Sequence, residues 1–272
     1  MDLPGITDVA DARREAWRPG DAWLAGGTWL FSEPQPPELS RLLDLHAYGW
    51  PALRVLPDGL EIAATCTLAE LARAELPPWP AAPLIGRCSA ALLGSFKVWN
   101  AATVGGNICL SLPAGPMISL TAALDGMSTI WAPGGGERQV PVAEFVTGPS
   151  KNVLQPGDLL RSVWLPAAAL NDTTAFRQLS LSPLGRSAAV VIGRRARAGG
   201  SRAGGSLVIT VTAATPRPVQ LRFATVPGPE RLLNELATAV PRYHDDVHGS
   251  PAWREEITRQ LALEVLSELG AP

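Results

Sequence analysis

Cysteine and histidine are scarce in this chain, three of each in 272 residues. Cys66, Cys88 and Cys109 are widely separated and form no CxxC-type cluster. The chain alone therefore cannot ligate an iron–sulfur cluster or a thiolate zinc, and each thiol reads as a small buried hydrophobe. His244 and His248 sit in YHDDVHGS with Asp245 and Asp246; the segment is polar all round and precedes a helix, so it reads as a solvated loop, and no metal ligand is assigned. Charge is also sparse: 18% of residues, with a net of −2, which suggests neither nucleic acid nor an anionic membrane as partner. No uninterrupted apolar run approaches membrane-spanning length. The amino-terminal MDLPGITDVADARREAW has acidic residues where a signal peptide needs lysines, and it lacks an apolar segment. A cytoplasmic protein is expected. What is abundant is apolar residues, 46% of the chain, enough for a sizeable core and two or three sub-domains.

Patterning gives a mixed α and β chain. Residues 7–17 carry a helical pattern, and Ala22–Ala25 reads as a strand broken by Gly26 and Gly27. Gly59–Ala63 alternates as a strand. Thr67-Leu68-Ala69-Glu70 is a capping box that starts a helix running to Leu76, and a second helix spans Ala81–Leu93. Ile118–Ala123 is helical; Met127–Trp131, Gln139–Val142 and Leu159–Leu165 are strands. From Pro166 the composition changes: strands near 174–180, 187–193 and 206–213 precede helices near 229–239 and 251–269. The loop GRRARAGGSRAGGS lies between two of those strands and reads as an exposed hairpin connection. The last helix has Ser250 as cap, a proline first and Gly270 at its end.

Two glycine pairs stand out, LAGGTWL at 24–30 and AATVGGNICLSLPAGP at 101–116. Each alone is an ordinary turn signal. Together they suggest side-chain-free turns whose N–H groups converge on an anion, as two phosphates of a dinucleotide would require. Neither turn matches GxGxxG or GxxxxGK[ST], so the Rossmann and P-loop readings fail. The residues themselves reach a non-Rossmann diphosphate binder and name no reaction.

Ala25-Gly26-Gly27-Thr28 and Thr103-Val104-Gly105-Gly106-Asn107 resemble the two flavin-binding loops of the FAD-carrying medium subunit of molybdenum hydroxylases, the family of xanthine dehydrogenases, carbon monoxide dehydrogenases and bacterial aldehyde oxidoreductases. Leu42–Leu45, Gly59–Leu68, Asn100–Thr103, Phe145–Pro149 and Leu154–Leu160 resemble further segments of that family in the same order, so the resemblance covers nearly the whole chain. It implies an α+β fold: a two-part FAD-binding domain of the vanillyl-alcohol-oxidase/PCMH type over 1–165, with sub-domains of about 1–52 and 53–165, then a smaller α+β flavoprotein domain over 166–272.

The resemblance further implies FAD as cofactor, held by Leu24, Ala25, Gly26, Gly27, Thr28, Trp29 and Leu30 in the first loop and by Thr103, Gly105, Gly106 and Asn107 in the second. Leu154 would lie near the adenine end. No residue of the chain is expected to be catalytic. A large molybdopterin-binding subunit and a small iron–sulfur subunit would be the partners. Electrons would pass from the partner's clusters through FAD to NAD, oxygen or another acceptor. The absence of cysteine clusters agrees with that division of labour. The chain departs from the family pattern at Pro116, where an aspartate is usual, and at Trp29, where the family has a small or polar residue. It also departs at Trp99, in place of an arginine, and at Leu181 and Gly185. Those losses concern the flavin's ribityl or ring region, so the alternative is a structural or assembly subunit with a weakened site.

Overall fold

The computed structural model describes residues 8–12, 17–197 and 205–270. It opens with a three-stranded parallel sheet of order β1-β3-β2, formed by β1 (Asp8–Asp11), β2 (Asp21–Leu24) and β3 (Arg41–Asp44). The helical pattern at 7–17 thus does not give a helix over 8–11; residues 7 and 13–16 of that expectation lie outside the described residues. The segment Asp8–Asp11 is half charged and exposed, and it becomes a strand only because β3 offers it a parallel edge.

A five-stranded antiparallel sheet follows, of order β4-β5-β10-β6-β7. Its strands are β4 (Leu53–Leu56), β5 (Gly59–Ala63), β6 (Met127–Trp131), β7 (Glu137–Pro141) and β10 (Leu159–Pro166). The intervening helices α1 (Leu68–Arg73), α2 (Ala82–Ala90), α4 (Val104–Leu110) and α5 (Pro116–Ala123) join the same core, α3 (Phe96–Trp99) buries no residue, and α6 (Val142–Phe145) and α7 (Ala167–Leu170) are short turns. A two-stranded ribbon, β8 (Val146–Gly148) and β9 (Lys151–Asn152), precedes β10. The capping box forms as expected: Glu70 N–H donates to the Thr67 hydroxyl, and Glu70 accepts from Thr67 N–H. The helix it starts ends at Arg73, before Leu76, and α2 ends at Ala90, before Leu93. The stretch 104–110, expected to be a loop, is a helix despite its two glycines.

The last sheet is antiparallel, with β11 (Thr173–Leu179), β12 (Ala189–Arg195), β13 (Leu207–Thr212) and β14 (Val219–Phe223) in sequential order. Strands β12 and β13 read as nearly continuous apolar runs because both faces are covered. Helix α5 packs on one face, and α9 (Pro251–Gly270), beside α8 (Pro229–Ala239), packs on the other. Helix α5 is buried along its whole length and shows no face to solvent; its two hydroxyls, on Ser119 and Thr121, are hydrogen-bonded inside the fold. The arginine-rich connection joins β12 and β13, and its residues 198–204 lie outside the described residues. Arg194, assigned to that loop by its sequence, belongs to β12 and is 1% exposed. The YHDDVHGS segment is not simply solvated either: Asp246 pairs with the buried Arg254, and burial holds the His244 imidazole below its ordinary pKa. Among the described residues no helix is long and apolar enough to cross a membrane.

The small parallel sheet is fastened to the outer face of the five-stranded sheet by aromatic packing. Tyr48 stacks on Trp50 at 4.7 Å, Trp131 meets both edge-on, and the Arg161 guanidinium lies 4.2 Å over the Trp50 ring. Trp23 of β2 donates its indole N–H to the Asp158 carbonyl at 3.0 Å. Within the small sheet, Arg41 grips Asp21 with a forked pair of bonds, 2.9 and 2.6 Å, and Arg18 N–H adds a third at 2.9 Å.

The forked bond from Arg41 holds the Asp21 carboxyl below its usual range. A carboxyl that is a stronger acid when folded contributes stability that is complete above its unfolded pKa of about 4 and is lost as pH falls below it. Thermal midpoints measured between pH 7 and pH 3 should fall more steeply for the natural protein than for Asp21→Asn, which starts lower at pH 7 and has a flatter acid limb. Parallel curves would show that Asp21 does not carry this dependence.

Candidate functional site

The first glycine loop leaves β2 at Leu24 and is half-buried to exposed throughout. Gly27 has φ +66°, a left-handed conformation that disfavours a side chain, and its carbonyl accepts from Phe31 N–H at 2.9 Å. The Trp29 carbonyl accepts from Ser32 and Glu33 N–H. These bonds use the loop's carbonyls and leave its donors open. The N–H groups of Gly26, Gly27, Thr28, Trp29 and Leu30 have no partner among the described residues. A run of adjacent open donors on a tight turn is the backbone arrangement from which anion-binding nests are built. Ala25, at the loop's start, is anchored in the aromatic cluster with Trp23 and Trp131.

The second loop behaves differently. Thr103 caps α4, its hydroxyl accepting from Gly106 N–H at 3.0 Å, and it is only 2% exposed. Val104 N–H donates to the Cys66 carbonyl and Gly105 N–H to the Ala64 carbonyl, at 2.8 and 2.9 Å. Those amides are therefore spent inside the fold and do not converge on an anion as the glycine pair suggested. The reason for glycine at 105 is packing: a Cβ there would lie 2.4 Å from that of Ala64. Gly106, by contrast, is exposed, and a Cβ there would meet only the Thr103 hydroxyl, at 3.0 Å.

Asn107 follows on the same helix. Its Oδ1 accepts from Met117 N–H at 3.0 Å, which fixes the amide orientation and leaves Nδ2 as a donor without a partner among the described residues. Pro116 is buried as the first residue of α5, where a missing N–H costs nothing; Asn107 supplies the cap that Gly115 lacks.

The two loops touch. The α-carbon of Gly26 lies so close to the Ala101 carbonyl that a Cβ would fall 1.6 Å from its oxygen. Ala101 itself is set by α3, where Trp99 donates its indole N–H to the Leu92 carbonyl at 3.0 Å. The arginine usual in the resembled family is thus replaced here by an anchor of the loop. Leu154 is brought in by Asn152, a residue sequence reasoning missed. Asn152 Nδ2 donates to the Cys109 carbonyl at the end of α4, and its Oδ1 accepts from Leu154 N–H, at 2.8 and 2.9 Å. Arg138 closes the turn by donating to the Val153 carbonyl and to Asp158. Leu154 is thereby held beside α4, with its own N–H already engaged.

The thiols are held in their neutral form. Burial pushes Cys66 and Cys109 up to about 12, and raises Cys88 as well. Among the described residues no group of three or more His, Cys, Asp or Glu could hold a metal ion.

The donors left open by this geometry are neutral: backbone amides of the first loop and the Asn107 side-chain amide of the second segment, whose loop meets the first at Gly26 and Ala101. Such donors suit a diphosphate. The fold defines the class. A chain of quinoline 2-oxidoreductase from Pseudomonas putida 86 superposes with a TM-score of 0.80 at 19% identity, covering 99% of this chain and 98% of that one. A chain of carbon monoxide dehydrogenase from Hydrogenophaga pseudoflava matches with a TM-score of 0.80 at 19% identity and 98% coverage of both. A chain of the Oligotropha carboxidovorans carbon monoxide dehydrogenase matches with a TM-score of 0.80 at 18% identity, again over 98% of both. Curated protein sequences return no match. The family described as the FAD binding domain in molybdopterin dehydrogenase matches residues 6–168. The chain belongs to that family, is a flavoprotein component of an oxidoreductase, and has FAD as its cofactor. The α+β class and the two-part flavin fold expected from the sequence are those found.

Gly26 and Gly106 should separate on substitution. Gly26→Ala forces backbone apart at Ala101 and should cost about 1–3 kcal/mol of stability, read by urea unfolding. Gly106→Ala should leave stability within about 1 kcal/mol, yet weaken FAD binding about tenfold because its Cβ enters the open face. Equal loss of stability in both variants would contradict this assignment.

Proposed function

We propose that this chain is the FAD-carrying electron-transfer subunit of a heteromeric molybdenum-containing hydroxylase or dehydrogenase. It would pass electrons from iron–sulfur clusters in a small partner subunit to an external acceptor such as NAD or oxygen, with a molybdopterin-binding large subunit acting on the substrate. The observation that carries the reading is the run of open donors from Gly26 to Leu30 on a loop that packs its backbone against Ala101, ahead of α4.

In this reading the diphosphate of FAD lies on the first loop, with Leu24 and Ala25 anchoring that loop to the small sheet. Asn107 Nδ2 donates to a phosphate or flavin oxygen, while Thr103 and Gly105 shape α4 from behind. Leu154 offers its side chain and carbonyl beside α4, and Trp29 offers an exposed aromatic face on the rim. FAD supplies the exchange of electrons singly on one side and in pairs on the other. The chain's part is to bind and orient it with neutral dipoles, since no lysine or arginine lies within either loop. The same reading divides the chain into a FAD-binding domain over 1–165 and a C-terminal flavoprotein domain over 166–272. The separate core beneath β12–β14, α8 and α9 supports that division. The alternative, an assembly subunit with a vestigial site, drew on Pro116 and Trp29. Pro116 now has a role as the start of α5, which weakens that case.

Asn107→Asp keeps an oxygen for Met117 N–H but replaces the donor with a negative charge. In the full chain it should retain its thermal midpoint and lose FAD affinity at least about tenfold. Assembled with its partners, the variant complex should still reduce an artificial dye that takes electrons from the iron–sulfur clusters, and fail with the physiological acceptor. Unchanged FAD content and unchanged acceptor activity would refute the assignment.

A further inference from the structure

Helix α5 connects two things that no sequence motif links. At its start, Asn107 Oδ1 caps Met117 N–H. At its end, the open carbonyls of the last turn are taken by the four-stranded sheet. Arg194, 1% exposed, donates Nε to the Ala123 carbonyl at 2.9 Å, Nη2 to Asp125 and Nη1 to Asp172, both at 2.6 Å. Gln220 donates to the Ala122 carbonyl at 2.7 Å, and Arg222 to the other oxygen of Asp125 at 2.6 Å. A cation at this end also opposes the negative pole of the helix. Between the ends, the Ser119 and Thr212 hydroxyls meet at 2.6 Å, and Ala213 N–H donates to the Pro113 carbonyl at 2.8 Å, just ahead of the helix.

A helix of this length spans only about 12 Å, and every residue of it is buried. It cannot slide or tilt without opening close-packed core on two sides. Whatever fixes one end fixes the other.

We propose that Arg194 is a positioning residue for the flavin site: by clamping the far end of α5 it sets the Asn107 amide in place from outside either glycine loop. This rests on the reading that Asn107 donates to FAD. The Arg194 clamp is a fork. Its three donors serve the helix carbonyl and two carboxylates at once, a geometry that neither lysine nor a neutral isostere reproduces.

The test uses the full chain, purified with its flavin, stripped, and titrated with FAD by fluorescence and visible difference spectroscopy well below the thermal midpoint. Arg194→Met should raise the dissociation constant roughly three- to thirtyfold and change the difference spectrum of the bound flavin. Gln220→Met, a milder variant that keeps the buried cation, should act in the same direction and covers the case in which Arg194→Met does not fold. Leu261→Ala, in α9 on the opposite face of the sheet, is the control: it lowers the midpoint but should leave affinity and spectrum unchanged. Asn107→Leu is measured in parallel. If Asn107→Leu binds FAD normally, the site reading fails and the proposal with it. If Asn107→Leu weakens binding while the Arg194 and Gln220 variants behave like Leu261→Ala, the site reading stands and the coupling through α5 is overturned. In the double variant Arg194→Met/Asn107→Leu the two effects should fall short of multiplying, because both act through one amide; full multiplicativity would also overturn it.

Discussion

The close approach of the Gly26 α-carbon to the Ala101 carbonyl is the constraint on which the rest of the site depends. It is a backbone-to-backbone contact with no room for a Cβ, so it can form only with glycine on one side. It brings a loop carried by a small parallel sheet against a loop carried by the five-stranded core. Everything that would hold a cofactor follows from that meeting. The loop that carries the open donors is thereby joined to the segment that runs directly into α4, with Gly106 and Asn107 in its first turn. The aromatic cluster around Trp50 and Trp131 serves the same end from beneath, since it keeps the small sheet from swinging away.

The two glycine pairs turn out to work differently. In the first, the loop's carbonyls are bonded and its donors are free; in the second, the donors are bonded by Cys66, Ala64 and Thr103. One loop supplies the donors and the other supplies a rigid wall with a single amide. A diphosphate bound this way is neutralised by dipoles rather than by cations. Such dipoles keep their orientation only if their supports are stiff. That requirement explains why Asn152, Trp99 and Arg138 are all spent on fastening nearby backbone.

Much of the fold was legible in the chain because its elements follow local rules. The capping box at Thr67, the alternation of Gly59–Ala63 and the apolar runs of β12 and β13 each report their own environment. What escaped was decided elsewhere in the structure. Helix α4 has two glycines and an asparagine in its first turn, and it forms because residues 64–66 accept its first amides. Strand β14 lies in a proline-rich stretch, and β1 is half charged; each is a strand through its neighbour's edge. Arg194 sits at the head of an arginine- and glycine-rich run that reads as surface, yet β12 extends far enough to bury it. The site was legible only as a resemblance in motif order. The residues alone reached a diphosphate and could not tell which glycine is exposed and which is required by packing against other backbone or side chains.

Amide hydrogen exchange of the full chain, with and without saturating FAD, reads the first loop's donors themselves. The amides of Gly26 to Leu30 should exchange rapidly without flavin and become protected when it binds. Those of Val104, Gly105 and Gly106 should be protected in both states, because their bonds are internal. Unchanged exchange across Gly26 to Leu30 in a protein shown to carry FAD would contradict the assignment of the diphosphate to that loop.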